Sequence, residues 1–231
     1  MHKYKIAEKF EKFAPLETQE DWDCSGWEVN NKEYDDIRKV MLCLTVTDDI
    51  ISQAKEQNCD MIISHHPCFY TPINWSNINI YSAHTNFDKA NGGTTDTIIE
   101  KLGLSDYKIE IKHEFLRIIE KDFSIDEFSK IIKGISPNAR VVNTHKIERL
   151  KKIAFCAGSG SEFIADAKEF GADCLVTGDL KFHTALDSPI VLYDIGHFES
   201  EILILPVFEK LIGNEVTIVY AKEQNPFKNI K

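Results

Sequence analysis

The sequence predicts an α/β protein built as two lobes with mixed sheets. Two observations carry that expectation. Short apolar runs alternate with a helix-period segment across residues 38–64, which makes a β-α-β unit and hence parallel strands. From residue 107 the texture changes to alternating Ile, Lys and Glu, which opens a second, smaller lobe. The expected division is residues 1–105 with 190–231 in one lobe and 106–189 in the other.

Composition bounds the class. At 231 residues the chain can form one large domain or two small ones around a substantial core. An apolar content of 43% with 28% charged residues is that of an ordinary globular protein. The net charge of −10 argues against a surface that neutralises phosphates, so nucleic acid is not an expected partner. Arg149, Lys151 and Lys152 cluster, but three charges read as a solvated turn. No apolar run reaches the ~20 residues of a membrane span. The first residues alternate Lys and Glu with apolar groups and read as no signal peptide. The six cysteines form no C-x-x-C pair, and Cys43, Cys156 and Cys174 lie in apolar runs. They read as reduced thiols of a cytoplasmic protein.

In chain order, Ile6, Phe10 and Phe13 mark a helix over residues 5–13 that Pro15 closes. Trp22 and Trp27 flank a polar loop and read as a core anchor, the commoner case, or as the wall of a pocket. Residues 38–46 form a strand, and Asp48 and Asp49 cap a helix that runs to about Gln57. Residues 59–64 form the next strand, ending in Ser64-His65-His66-Pro67, where proline fixes its φ and turns the chain. Residues 78–83 form a strand that ends in His84-Thr85-Asn86-Phe87-Asp88. After Asn91-Gly92-Gly93, Thr94 or Thr95 caps a helix over 96–102 that stops at Gly103. Ser124 opens a helix over 125–132, while His113 and His145 read as solvent-facing.

Residues 153–157 form a strand leading into Gly158-Ser159-Gly160-Ser161 and a helix over 162–169. That turn is either a tight packing turn or an anion site at a helix N-terminus. Residues 172–176 form a strand delivering Thr177-Gly178-Asp179, with His183 one helical turn beyond if the segment is helical. Residues 190–194 form a strand before Gly196-His197, and a helix over 198–211 sets His197 and Glu201 one turn apart. Residues 216–221 form the last strand.

Taken singly, His65-His66 is a chance pair at a loop edge or one imidazole for each of two ions. His197 and Glu201 alone could cap a helix start. Three strand ends bearing His65/His66, Asp88 and His197/Glu201 make the ligand reading the stronger one. Imidazole with carboxylate suits a first-row ion, zinc, iron, manganese or nickel, rather than calcium. Five ligands exceed what one catalytic zinc takes, and two carboxylates can bridge two ions ~3.5–4 Å apart. In open α/β sheets such groups gather in the crevice outside the strand ends.

These motifs, in this order, with Thr177-Gly178-Asp179, His183 and an early Trp22-Asp23…Gly26, resemble the Nif-three-like family, the GTP cyclohydrolase I type 2 homologues. The resemblance spans nearly the whole chain and is to the short form, with no inserted domain between Leu104 and the Gly158 region. It implies two α/β lobes with a dinuclear metal centre at strand ends in the cleft between them, in which His65 and His66 each bind one ion, Asp88 and Glu201 bridge them and His197 completes one site. It further implies a toroidal homohexamer, with Asp179 and His183 lining the pocket as catalytic or substrate-contacting groups. The chain departs from the family pattern at Cys24, where Asn is usual, and at Leu44-Thr45, where Leu-Asp is usual.

Two functions follow as expectations. One is a metal-dependent hydrolase of a nucleotide-like substrate, with His183 as proton shuttle. The other is a metal-handling or scaffold protein without turnover.

Overall fold

In the computed structural model, which describes residues 1–228, the chain divides into two units. Unit 1 is Met1–Ala90 with the chain from Ile204 onward, and unit 2 is Asn91–Leu203.

The apolar runs around the His-His pair form the sheet of unit 1. Among the described residues its order is β1 (Gly26–Val29), β4 (Asn79–Ser82), β3 (Met61–Ser64), β2 (Lys39–Cys43) and β11 (Thr217–Tyr220). β1 is antiparallel to β4, and the remaining neighbours are parallel. The crossover from β2 to β3 is α2 (Asp48–Glu56), whose Ile50, Ile51 and Ala54 pack on Met41, Ile62 and Ile80. Its cap is Thr47, which accepts from the Ile50 amide, and Asp48 and Asp49 lie inside the first turn rather than at the cap. Over the sheet's other residues, α1 (Lys3–Phe13), α3 (Thr85–Lys89) and α9 (Leu205–Ile212) bring Phe10, Phe87 and Phe208 together. Their ring centroids are 5.1–5.6 Å apart, an edge-and-tilt cluster that fixes α3 and hence Asp88.

Unit 2 carries a second mixed sheet, in the order β5 (Ile109–Ile111), β6 (Arg117–Ser124), β8 (Arg149–Phe155), β9 (Cys174–Thr177), β10 (Val191–Asp194) and β7 (Arg140–Val142). β8, β9 and β10 run parallel, and the outer pairings are antiparallel. Both faces are covered, as the two-residue period of the strands requires. Ile119, Ile153, Val176 and Tyr193 point into one core with Phe128 of α5 (Ile125–Ile132), and Ile118, Ala154, Leu175 and Leu192 into the other.

The unit boundaries fall elsewhere than at the expected 105/106 and 189/190. β10 hydrogen-bonds in parallel with β9, Val191 opposite Cys174 through Asp194 opposite Thr177, so residues 190–203 belong to unit 2. α4 (Thr94–Lys101), capped by Gly93 rather than by a threonine, packs against β8 and α8 (His197–Glu201) and takes residues 91–105 with it. The expected helix over 198–211 is in fact α8, a 3-10 turn at Ile202–Ile204, and α9. Pro206 cannot donate into a continuing ladder and so begins a new helix. The expected helix over 162–169 likewise starts as a 3-10 turn before α6 (Ile164–Glu169). Strands β1, β5, β6 and β7 were not expected.

The helix opened by Ser124 has a full capping box. Ser124 Oγ accepts from the Glu127 amide, and Glu127 accepts from the Ser124 amide at 2.7 Å. Replacing Ser124 with Ala is expected to lower stability by about 1 kcal/mol. Phe128→Ala, at a wholly buried position, is expected to cost roughly 3–5 kcal/mol. Urea unfolding of the two variants measures both, and near-equal losses would mean that α5 is not held by its core face.

Candidate functional site

In unit 1 the candidate groups come from the carboxyl ends of two neighbouring parallel strands. β3 stops at Ser64 and β4 at Ser82, paired in register, so the residues after them share one edge of the sheet. His65, His66 and His84 collect there, each offering a nitrogen within 4.8 Å of the others. Their backing atoms are ordered. His65 Nδ1 lies 2.8 Å from the Ala83 carbonyl, and His66 Nδ1 lies 2.7 Å from Thr45 Oγ1. His84 Nδ1 lies 3.0 Å from Asp23 Oδ1. Asp88, in α3, approaches His65 Nε2 with Oδ1 at 3.5 Å.

Asp23 sits in a loop without regular structure, yet its side chain is 0% exposed. It accepts from the Cys24 amide, Ser25 Oγ, and both the amide and the hydroxyl of Thr85. Burial by itself raises a carboxyl pKa, but the hydrogen bonds of His84 and Thr85 and the charge of His84 more than reverse this and hold Asp23 well below the usual carboxylate range. Trp22 beside it is 70% exposed and lies edge-on to His84, so it is not a core anchor. The Cys24 departure leaves this network intact, because only its backbone joins Asp23 and its side chain is exposed. The Thr45 departure touches the group directly, placing a neutral hydroxyl behind His66.

In unit 2, α8 puts His197 and Glu201 one turn apart, with Nε2 2.8 Å from Glu201 Oε2. Asp179, at a positive φ of 56° after β9, reaches His197 Nδ1 at 2.7 Å. Burial alone would lower the His197 pKa, and the two carboxylates raise it to about 9. Beneath lies a floor of glycines. Gly158 has φ +61, and a Cβ there would collide with Glu201 Oε1. A Cβ on Gly160 would come within 2.6 Å of Cys156, and one on Gly178 within 2.7 Å of the His197 amide. The Gly158 amide donates to Ser200 Oγ and the Gly160 amide to Thr177 Oγ1. Two amide donors of the Gly158-Ser159-Gly160 turn, those of the two glycines, are thus used internally, as in a packing turn. α7 (Phe182–Leu186) starts after Asp179, so Asp179 and His183 do not share a helical turn, and His183 is exposed.

The family described as Duf34/NIF3 (NGG1p interacting factor 3) matches residues 1–226. The chain belongs to the Duf34/NIF3 family. It is 32% identical to the GTP cyclohydrolase 1 type 2 homolog of Clostridium perfringens, covering 95% of this chain and 96% of that one. It is 30% identical to the protein of that name in Campylobacter jejuni, covering 94% and 95%. Among solved structures it resembles a Bacillus cereus protein related to NIF3 (TM-score 0.85, 18% identity, 100% and 99% covered). It also resembles reduced HcgD from Methanocaldococcus jannaschii (TM-score 0.83, 25% identity, 96% and 98% covered).

Within this Duf34/NIF3 chain, the donor chemistry fits a borderline divalent ion. Imidazoles and carboxylates supply the candidate donors, and each candidate histidine has Nδ1 against an oxygen, the arrangement that orients a metal-ligating imidazole. No helix among the described residues is long and apolar enough to cross a membrane. All six cysteines are free. His145 is exposed as expected, whereas His113 is half-buried on Phe115 and Phe163. The sequence reading assigns no role to His84 or Asp23, because the contact between them spans 61 residues and no local spacing signals it.

Gly103 also has a positive φ, +71, but a Cβ there would meet nothing within 4 Å. Gly103→Ala therefore incurs backbone strain alone, about 1–2 kcal/mol. Gly158→Ala incurs that strain plus the clash with Glu201, and is expected to lose clearly more stability in urea unfolding. Equal losses would mean that Glu201 does not rest on Gly158.

Proposed function

We propose that the chain is a dinuclear metal-binding protein and a metal-dependent hydrolase of a nucleotide-like substrate. The observation that carries this reading is that each unit holds its own oriented donors: His65, His66 and Asp88 in unit 1, and His197 and Glu201, with Asp179 behind the His197 ring, in unit 2. In this reading His65, His66 and Asp88 of unit 1 and His197 and Glu201 of unit 2 would hold the ions, the imidazoles as neutral nitrogen donors and the two carboxylates as charged oxygen donors. The ions are zinc, iron, manganese or nickel. When bound, such a pair acidifies water and polarises the bond under attack.

The chain's own groups divide the remaining work. Asp179 keeps the His197 ring in one orientation. His183, exposed on α7, carries a proton between the reacting group and solvent. The names of the Clostridium perfringens and Campylobacter jejuni relatives favour a purine nucleotide as substrate. We further infer a toroidal homohexamer in the cytoplasm, the compartment that suits six free thiols.

The second reading, metal handling without turnover, has less support from the thiols. Burial pushes Cys68 up to about 12 and holds Cys43 and Cys174 well above the ordinary thiol value, so none is a ready thiolate for passing ions on.

Elemental analysis of protein purified without chelators is expected to find about two ions per chain, falling sharply in Asp88→Ala and in Glu201→Ala. The loaded protein is then expected to turn over GTP or another nucleotide, and to stop when the ions are removed by chelation. Near-zero metal after attempted reconstitution overturns the centre. Full metal with no turnover of nucleotides, phosphoesters or amides overturns the hydrolase and leaves the handling reading.

A further inference from the structure

We propose that His84 is a further metal-ligating imidazole of the unit 1 donor set, and that Asp23 is the residue that positions it. The proposal rests on reading the unit 1 histidines as metal ligands, and adds one residue to them and one behind it.

Three observations converge on it. The ligand nitrogens of His65, His66 and His84 lie within 4.8 Å of one another, so His84 belongs to the same cluster as the histidine pair. The rings meet edge to face or tilted, with His84 at 5.2 Å from His65 and 5.5 Å from His66. With Nδ1 directed at Asp23, the nitrogen left to coordinate is Nε2.

The backing of His84 is also the strongest of the unit 1 histidines. His65 leans on a carbonyl and His66 on a hydroxyl, whereas His84 leans on a carboxylate. A carboxylate behind an imidazole fixes its tautomer and raises the basicity of the far nitrogen, which strengthens a metal bond. A buried carboxylate is costly unless it is fully bonded. Asp23 is fully bonded, and the whole network is arranged about residues 84 and 85: the Ser25 hydroxyl that donates to Asp23 also accepts from the His84 amide.

The competing role is a latch that ties the loop of residues 19–25 to the start of α3. Thr85 and Glu20 supply that latch without the imidazole, since Thr85 binds Asp23 twice and its hydroxyl accepts from the Glu20 amide. A latch alone would therefore not need His84 to face two other histidines.

The test titrates the metal-free full chain with cobalt(II), reading affinity by competition with a chelator and coordination by the visible absorption bands. His84→Ala and His84→Gln are expected to weaken binding by more than tenfold and to alter the bands. Glutamine retains a group that can bond Asp23, so it guards against simple misfolding. Asp23→Asn is expected to weaken binding roughly 10–100-fold while keeping the parent bands at saturation. His145→Ala, at an exposed histidine elsewhere, is expected to match the parent. Parent-like affinity and bands in both His84 variants overturn this inference alone. A parent chain that binds no cobalt overturns the metal reading of unit 1, and this inference with it.

Discussion

The parallel pairing of β3 with β4 is the constraint on which the chemistry of unit 1 depends. Ser64 stands opposite Ser82, so the two strands end together at one edge of the sheet. Parallel neighbours lie ~4.8 Å apart, and the rings of His65 and His84 that emerge from them lie 5.2 Å apart. The backbone carries the arrangement one residue further, with the Ala83 amide bonded to the Ser64 carbonyl and the Ala83 carbonyl facing His65 Nδ1. A slip of one residue between these strands would turn every side chain to the opposite face and scatter the imidazoles. Both runs, Met61–Ser64 and Asn79–Ser82, are buried throughout.

Unit 2 reaches a comparable end by other means. There the donors stand on a short helix rather than on strand ends, and the helix is drawn down onto β8 and β9 by glycine. Ser200 is the fastener: its hydroxyl accepts from the Gly158 amide and donates to the His197 carbonyl. Orientation of the donor ring also differs. In unit 1 a loop folds back to place Asp23 behind His84, whereas in unit 2 Asp179 takes a left-handed backbone conformation to reach His197. In both cases the carboxylate lies outside the element that carries the imidazole.

Much of this was legible in the sequence where the signal is local. The strand before His65, the helix opened by Ser124 and the one-turn spacing of His197 and Glu201 each declare themselves within a few residues. β6 did not, because Arg117, Glu120, Lys121 and Asp122 interrupt its apolar residues; Arg117 is nonetheless wholly buried, paired with Asp96 across 21 positions. The boundary between the units was misplaced for the same reason, since sheet pairing of β10 rather than composition decides it. The break in the last long helix was readable, as Pro206 is in plain view; the apolar period through Ile202, Leu205 and Phe208 masked it. The network around Asp23 has no sequence period at all. It is assembled from residues brought together by the fold, and Trp22, taken as a core anchor, proves instead to lie at the surface beside it.

The glycine floor of unit 2 has a consequence for how this family can vary. Glycine is the smallest residue, so any change at 158, 160 or 178 adds atoms and none removes them. The space under Glu201 and His197 is therefore already at its maximum, and lineage drift there can only shrink it.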